Sequence, residues 1–396
     1  MKSSPCILPW IHLSTTTMGE VQPCCIYKKS SMPDRVPYKL LANDIQEIWN
    51  GKEMTELRRA HLAGEKPPGC SECWQHEAIG KKSKRMIDNE RFKHLQDRIG
   101  QKDVKPAYLD LKLGNLCNLR CRICYSGNSS SWVTEELFWL SQESPNNFNK
   151  KASEPYLNNK FGKWPEKSDD FWSYLTDNMA EIEQLDFTGG EPFLIARHWE
   201  FLQECVDSGY SKNISIHYNT NGTTIPSSPE IWSHFKSVEV MVSVDGIGDR
   251  FEYQRHPANW DSVRDNINLF RSMPYVNTSI CHTVSAINIY YLPEMINWID
   301  EEGFKDYQLW LNTLHGAAYY NVKALPPSVK SEVRKRLERY TKYEIPALLD
   351  FMDSEDWNSE YWPIFLLKTS QGDSYRNNDF SKVFPELQDL INESTE

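Results

Sequence analysis

The sequence predicts an α/β chain: a partial (β/α)6 barrel of the TIM-like kind, with a small cysteine-rich module ahead of it and a helical extension behind. Three observations carry this. From residue 107 onward, short aliphatic runs alternate with helix-like segments, the strands falling at 107–113, 183–188, 213–219, 238–244, 278–284 and 307–313. Such alternation gives parallel strands joined by crossover helices, with the chemistry at the C-terminal strand ends. Of the ten cysteines, all but Cys205 and Cys281 lie within the first 124 residues. From about 320 the pattern is mostly helical, Val329 to Tyr340 and again from Leu348, and no chemistry can be assigned to it.

With 396 residues the chain has room for two or three domains. The expected division is a module at 1–80, a connector at 81–106, the barrel at 107–318 with a long insertion at about 144–170, and the extension at 319–396. Against 55 acidic residues stand 44 basic ones, a net charge of −11. Binding to DNA or RNA rests on neutralising phosphates, so this balance argues against nucleic acid as a partner. The short basic run KKSKR at 81–85 reads as a solvated linker. No apolar run approaches the ~18 residues of a membrane span. MKSSPCILPWIHL lacks the apolar core and cleavage site of a signal peptide. The cysteines have metal-ligand spacing and not a disulfide framework, and a cytoplasmic location is expected.

In chain order, Cys6, Gly19 and Cys24 make C-x12-G-x4-C, and Cys70 with Cys73 makes C-x2-C. Between them, Asn43 to Gly64 carries Ile45, Ile48, Trp49 and Leu57 at helical spacing, with Gly64 as a stop. Four thiolates can close a tetrahedral site completely, which suits structural zinc as readily as iron–sulfur. Cys25, beside Cys24, is the competing ligand, and the G-x4-C count favours Cys24. Residues 74–106 are charged and helix-prone. Cys205 and Cys281, in apolar helical and strand contexts, read as core thiols.

LKLGNLCNLRCRICYSG, Leu111 to Gly127, runs an alternating strand into Cys117, Cys121 and Cys124, spaced C-x3-C-x2-C. Three thiolates on one loop hold three corners of a cluster and leave an iron open for chemistry. Zinc completed by a histidine, or plain buried thiols, are the alternatives. Downstream, LDFTGGEPF ends a strand in Gly189, Gly190, Glu191 and Pro192. Then SSSWVTEELFWLSQE reads as a helix, and 144–170 as an insertion or lid. YNTNGT sets Thr220 and Asn221 at the end of the third strand, and VSVDG sets Ser243 and Asp245 at the end of the fourth. These polar side chains suit a ribose or a carboxylate, while Asn-Gly and Asp-Gly are also ordinary turn formers.

The cysteine triplet followed by GGEP resembles the radical S-adenosylmethionine (SAM) superfamily. The order C-LPW-H, G-x4-C, EIW, ELR, C-x2-C in residues 6–73 resembles its SPASM/twitch auxiliary-cluster modules. Twitch, the one-cluster form, fits the cysteine count. Such modules usually follow the barrel, and an N-terminal variant is the closest match. The resemblance implies a SAM-binding 4Fe–4S cluster on Cys117, Cys121 and Cys124, and a second, auxiliary 4Fe–4S cluster on Cys6, Cys24, Cys70 and Cys73. It implies that Gly189, Gly190 and Glu191 cradle the methionyl amino group, since a glycine lets backbone approach a ligand closely. Thr220, Asn221, Ser243, Asp245 and Arg255 become SAM contacts, with Arg255 for the carboxylate and backbone at 283–288 near the adenine. The family's aromatic residue before the third cysteine is Ile123 here, and Tyr125 can take its place. The implied reaction is reductive cleavage of SAM to a 5′-deoxyadenosyl radical that abstracts hydrogen from a peptide or protein side chain. The alternatives are the same chemistry on an amino sugar or nucleotide, or a non-catalytic iron–sulfur or zinc protein. The implied partners are that substrate and an electron donor such as flavodoxin or ferredoxin. No residue stands out as a catalytic acid or base.

Overall fold

A computed structural model describes residues 4–28, 40, 44–78, 82–143, 145, 149–159 and 164–393. The chain divides into two compact units. One is formed by Met1–Leu116, Leu157–Tyr218 and Pro226–Val238, the other by Cys117–Tyr156, Asn219–Ile225 and Glu239–Glu396. The strands are β1 (His12–Thr15), β2 (Val21–Gln22), β3 (Tyr108–Lys112), β4 (Gln184–Thr188), β5 (Ser215–Thr220), β6 (Ser237–Ser243), β7 (Val276–Val284) and β8 (Leu309–Thr313). They make an open, mostly parallel sheet and not a closed barrel. The six strands expected from residue 107 onward are β3 to β8, each starting and ending within two residues of expectation.

In the first unit the hydrogen-bonded order is β2-β1-β3-β4-β5. β3 is buried on both faces through Tyr108, Leu109, Asp110 and Leu111, as a parallel strand covered on both sides must be. Its register with β4 runs from Tyr108↔Gln184 to Lys112↔Thr188. The helix Ala196–Asp207 carries the crossover from β4 to β5 and buries Phe201, Leu202 and Cys205. The cysteine-rich segment adds an element the sequence did not announce: β1 pairs in parallel with β3, His12 opposite Tyr108. All four of its residues are buried, so no alternation marks it.

The expected helix between Asn43 and Gly64 is two helices, Ile45–Trp49 and Lys52–Leu62, parted at Asn50–Gly51; Asn43 lies outside the described residues. Asp44 caps the first by accepting the Gln46 and Glu47 amides. Much of 144–163 also lies outside the described residues, but the far end of that stretch is anchored. Trp164 is buried, donates its indole N–H to the Lys112 carbonyl at 2.9 Å, and stacks on Trp172.

In the second unit β7 and β8 pair in parallel, Ile280 opposite Leu309. Ile280, His282 and Val284 face one side and are buried; Cys281 and Thr283 face the other and are half-buried. Cys205 is a core thiol, whereas Cys281 is not fully enclosed. The extension is helical, with Pro327–Leu337, Ile345–Asp353, Asn358–Arg376 and Pro385–Glu393. Among the described residues no helix is long and apolar enough to cross a membrane.

His198 ties stability to pH. Its ring is fully buried against Phe187, Trp199 and Tyr218, with Nδ1 bonded to the Ile195 carbonyl at 2.7 Å. Burial pulls its pKa down to about 3. Below its unfolded value of roughly 6.5, the unfolded chain takes up a proton that the native ring refuses. Its share of stability is therefore present above that pH and is lost as pH falls toward 3, at about 1.4 kcal/mol per pH unit. Urea unfolding at pH 6.5 and 4.5 should show a smaller loss in His198→Phe than in wild type. An identical pH slope would refute the assignment.

Candidate functional site

In the first unit, β3 and β4 stay paired beyond their ends. The Leu113 amide donates to the Thr188 carbonyl at 2.9 Å, the Gly190 amide to Gly114 at 2.9 Å, and the Glu191 amide to Leu116 at 2.8 Å. This needs glycine. Gly189 has φ +120°, and a Cβ on Gly190 would stand 2.2 Å from the Leu116 carbonyl oxygen. What the two glycines admit in this structure is the chain's own backbone, immediately before Cys117. Glu191 is fully buried, and its carboxylate accepts the Phe193 amide at 3.2 Å.

In the second unit, the loop from Cys117 to Cys124 is clamped by its backbone. The Ser129 and Ser131 hydroxyls donate to the Leu119 and Cys117 carbonyls, each at 2.6 Å, and the Trp132 indole to that of Cys121 at 3.1 Å. Donors also converge on the sulfurs. Cys117 Sγ takes the Leu119 amide at 3.5 Å and Asn221 Nδ2 at 3.8 Å, and Cys121 Sγ faces Arg255 Nη1 at 3.9 Å. Burial pushes the Cys121 thiol up to about 12, with Arg255 acting in the opposite direction and Cys117 adding to the rise. Burial raises Cys124 as well, and its two neighbouring cysteines add to it. Clustered sulfurs that resist ionising alone, with N–H groups aimed at them, fit a centre whose cations share the thiolate charge.

The expected cofactor side chains are partly committed. Thr220 Oγ1 accepts the Gly222 amide, and Asn221 Oδ1 the Thr223 amide, which is turn chemistry; the Asn221 amide group goes to Cys117. Asp245, buried, holds Arg255 at 2.7 Å and accepts the Thr283 amide at 2.8 Å. Arg255 therefore bridges Asp245 and Cys121. Ser243 is half-buried at the end of β6, and Tyr125 is 56% exposed. In the 283–288 segment, Asn288 ties the chain to the Asp245 carbonyl and to Gln254.

The first unit gathers the other cysteines. Cys6, Cys24, Cys70 and Cys73 line one cavity of about 30 Å³, together with His61, Trp74, Lys84 and Arg85. Cys25 is not among its walls; its thiol is bonded to Asp110. Among the described residues, no three of His, Cys, Asp or Glu converge as ligands of a single ion would, so the thiols surround a space and do not meet at a point. Burial pushes Cys70 up to about 12. His61, buried and held neutral by burial with a pKa down to about 4, sets Nε2 3.7 Å from Cys70 Sγ. The basic run at 82–85 is no solvated linker here; Lys81 lies outside the described residues. Arg85 is buried over Trp74 and paired with Glu77 at 2.6 Å, and Lys84 pairs with Asp88 at 2.9 Å. Sequence reasoning missed His61 and Arg85, because neither spacing nor composition marks a side chain that meets sulfur only through folding.

Beside Cys124 the second unit opens a cavity of about 220 Å³, walled by Trp132, Trp139, Tyr156, Tyr319 and Tyr320 and floored by Arg376. Part of this wall comes from the C-terminal extension, to which the sequence assigned no chemistry.

An open α/β sheet with a cysteine triad after one strand, a glycine turn after the next, and a separate four-cysteine cavity defines an iron–sulfur protein of the partial-barrel class. The comparisons agree. Residues 111–300 match the radical SAM superfamily, and residues 6–74 match the iron–sulfur cluster-binding domain SPASM. The chain belongs to the radical SAM superfamily and carries an SPASM-type domain ahead of the barrel. Its cofactors are accordingly SAM, a SAM-binding 4Fe–4S cluster and an auxiliary cluster. No curated protein matches the chain. Similar solved structures include native anSMEcpe with bound AdoMet, at 20% identity and TM-score 0.41, covering 62% of this chain and 61% of that one. Another is SuiB of Streptococcus suis bound to S-adenosylmethionine, at 13% identity and TM-score 0.38, covering 76% and 60%. TYW1 with a lysine–pyruvate adduct is a third, at 11% identity and TM-score 0.28, covering 61% and 70%. The chain spans about three fifths of the length of the first two.

Two tests follow from the site. Anaerobic reconstitution should give about eight irons per chain, two clusters of four, and replacing Cys117, Cys121 and Cys124 by Ala should leave about half. A triple mutant with undiminished iron would exclude the triad. Gly190→Val should lose SAM affinity and about 1–3 kcal/mol of stability, because the added atoms meet the Leu116 backbone. A melting temperature and SAM affinity equal to wild type would show that the turn tolerates a side chain.

Proposed function

We propose that this radical SAM enzyme acts on a peptide or protein side chain. Supporting the reading is the cavity beside Cys124, about 220 Å³ and walled by aromatic rings that would pack against an apolar side chain. When bound at Cys117, Cys121 and Cys124, a reduced 4Fe–4S cluster supplies one electron to SAM, and the resulting 5′-deoxyadenosyl radical takes a hydrogen from the substrate. The chain's own residues do the rest. Asn221 and Arg255 orient two sulfurs, Asp245 fixes Arg255, and the glycine turn sets where the cysteine loop begins. Trp132 and Tyr320 exclude water that would quench a reactive intermediate. Reductive incubation with SAM should yield 5′-deoxyadenosine, and a true substrate deuterated at the target carbon should pass deuterium into it. No 5′-deoxyadenosine from fully reconstituted protein would overturn the reading.

Cys6, Cys24, Cys70 and Cys73 would hold the auxiliary cluster with no vacant ligand position. That fits an electron-transfer role in which it would accept one electron from a substrate radical, while a donor such as flavodoxin or ferredoxin would reduce the SAM-binding cluster. Cys70→Ala should then abolish product while uncoupled SAM cleavage survives. Product at the wild-type rate from a soluble mutant lacking the auxiliary iron would assign the centre a merely structural role.

A further inference from the structure

Arg376 ends the helix Asn358–Arg376 with its side chain wholly enclosed. Nε donates to Glu135 at 3.0 Å, and the guanidinium lies over the Trp132 ring at 4.6 Å. Nη1 and Nη2 have no hydrogen-bond partner. A buried guanidinium with its fork unmet carries a desolvation cost that native proteins rarely leave standing.

The charged groups around it are already engaged with one another. Arg122 is satisfied: it pairs with Asp373 at 2.5 Å and donates to the Thr369 carbonyl at 3.2 Å. Asp373 is fully used, since it also accepts the Tyr253 hydroxyl and the Phe380 amide. Arg120 stands 3.9 Å from Glu135, the carboxylate Arg376 already holds. Neither of these carboxylates, Glu135 nor Asp373, reaches the two terminal nitrogens of Arg376. Also lining the cavity, Glu136 Oε2 and Gln371 Oε1 are acceptors without a partner.

Resting on the peptide reading above, we propose that the Arg376 fork binds a carboxylate of the substrate, either an acidic side chain or a C-terminus, while Glu136 or Gln371 receives an adjacent amide N–H. The planar fork suits a carboxylate bidentately. Backbone N–H groups of a peptide supply donors for these two acceptors. The aromatic walls accept the ligand's apolar part.

The test titrates the fully reconstituted chain with three probes by isothermal calorimetry. They are N-acetylleucine with a terminal carboxylate, N-acetylglutamic acid α-amide with a side-chain carboxylate, and N-acetylleucinamide with neither. At least one acid should bind about tenfold or more tightly than the neutral amide, and the better acid identifies the source of the carboxylate. Arg376→Lys keeps a cation for Glu135 and removes the fork, so it should lose about tenfold in affinity for that acid and leave the amide unchanged. Equal binding of all three probes, binding of none, or Arg376→Lys indistinguishable from wild type would each overturn the proposal. If the variant does not fold, the wild-type comparison decides alone. Acid binding in protein that never cleaves SAM would sink the enzymatic reading and leave this one standing.

Discussion

The first unit depends on a backbone contact more than on any side chain. β3 and β4 do not separate at their C-terminal ends, because the amides of Gly190 and Glu191 keep reaching Gly114 and Leu116. A parallel pair normally splays where its loops begin, and continuing it costs both loops their conformational freedom. The gain is a fixed position for Leu116, and Cys117 is the next residue in the chain. A loop that must present three sulfurs at set positions cannot start from a mobile anchor. Glycine at 189 and 190 is thus required by the chain's own geometry, before any ligand is considered.

The two cysteine groups meet a shared electrostatic difficulty by different means. A buried thiol resists ionisation, and burial pushes Cys121 and Cys70 alike to about 12. Around the triad, the opposing influence comes from Asn221 and Arg255, which reach the sulfurs from loops after β5 and near β6. Around the N-terminal four, it comes from neutral His61 and from Arg85, whose charge Glu77 partly cancels. Hydrogen bonds and charge near sulfur set a cluster's potential.

What could be read from sequence, and what could not, follows from range. The strands at 108–112 and 184–188 announced themselves by alternation, Leu109 and Leu111 in one and Leu185 and Phe187 in the other, each running into a cysteine or glycine motif. The cysteines announced themselves by spacing. β1 did not, since four buried residues reading HLST show neither an apolar run nor alternation. Arg85 read as solvated because a basic run usually is; only folding brings Glu77 and Trp74 to it. Asp245 and Arg255 were both expected at the cofactor. Their mutual ion pair depends on ten residues of chain folding back, and the hold of Arg255 on Cys121 on a contact 134 residues apart in sequence, which no pattern encodes.

The C-terminal extension was the least legible part, and it supplies Arg376 and part of the wall of the cavity beside Cys124. A helix ending in arginine reads as an ordinary surface residue complementing the helix dipole, and on that basis Arg376 would be exposed. It is enclosed because Glu135 and Trp132, on a helix that begins soon after the cysteine loop, receive it. The chain carries net charge −11, and Arg120, Arg122 and Arg376 stand beside the carboxylates Glu135 and Asp373, so what the cavity offers is the unmet fork of Arg376. Exposed charges of either sign are screened within about 8 Å at physiological salt; an enclosed guanidinium is not. An acidic ligand would therefore be recognised by the Arg376 fork after entry and not steered to the cavity from outside.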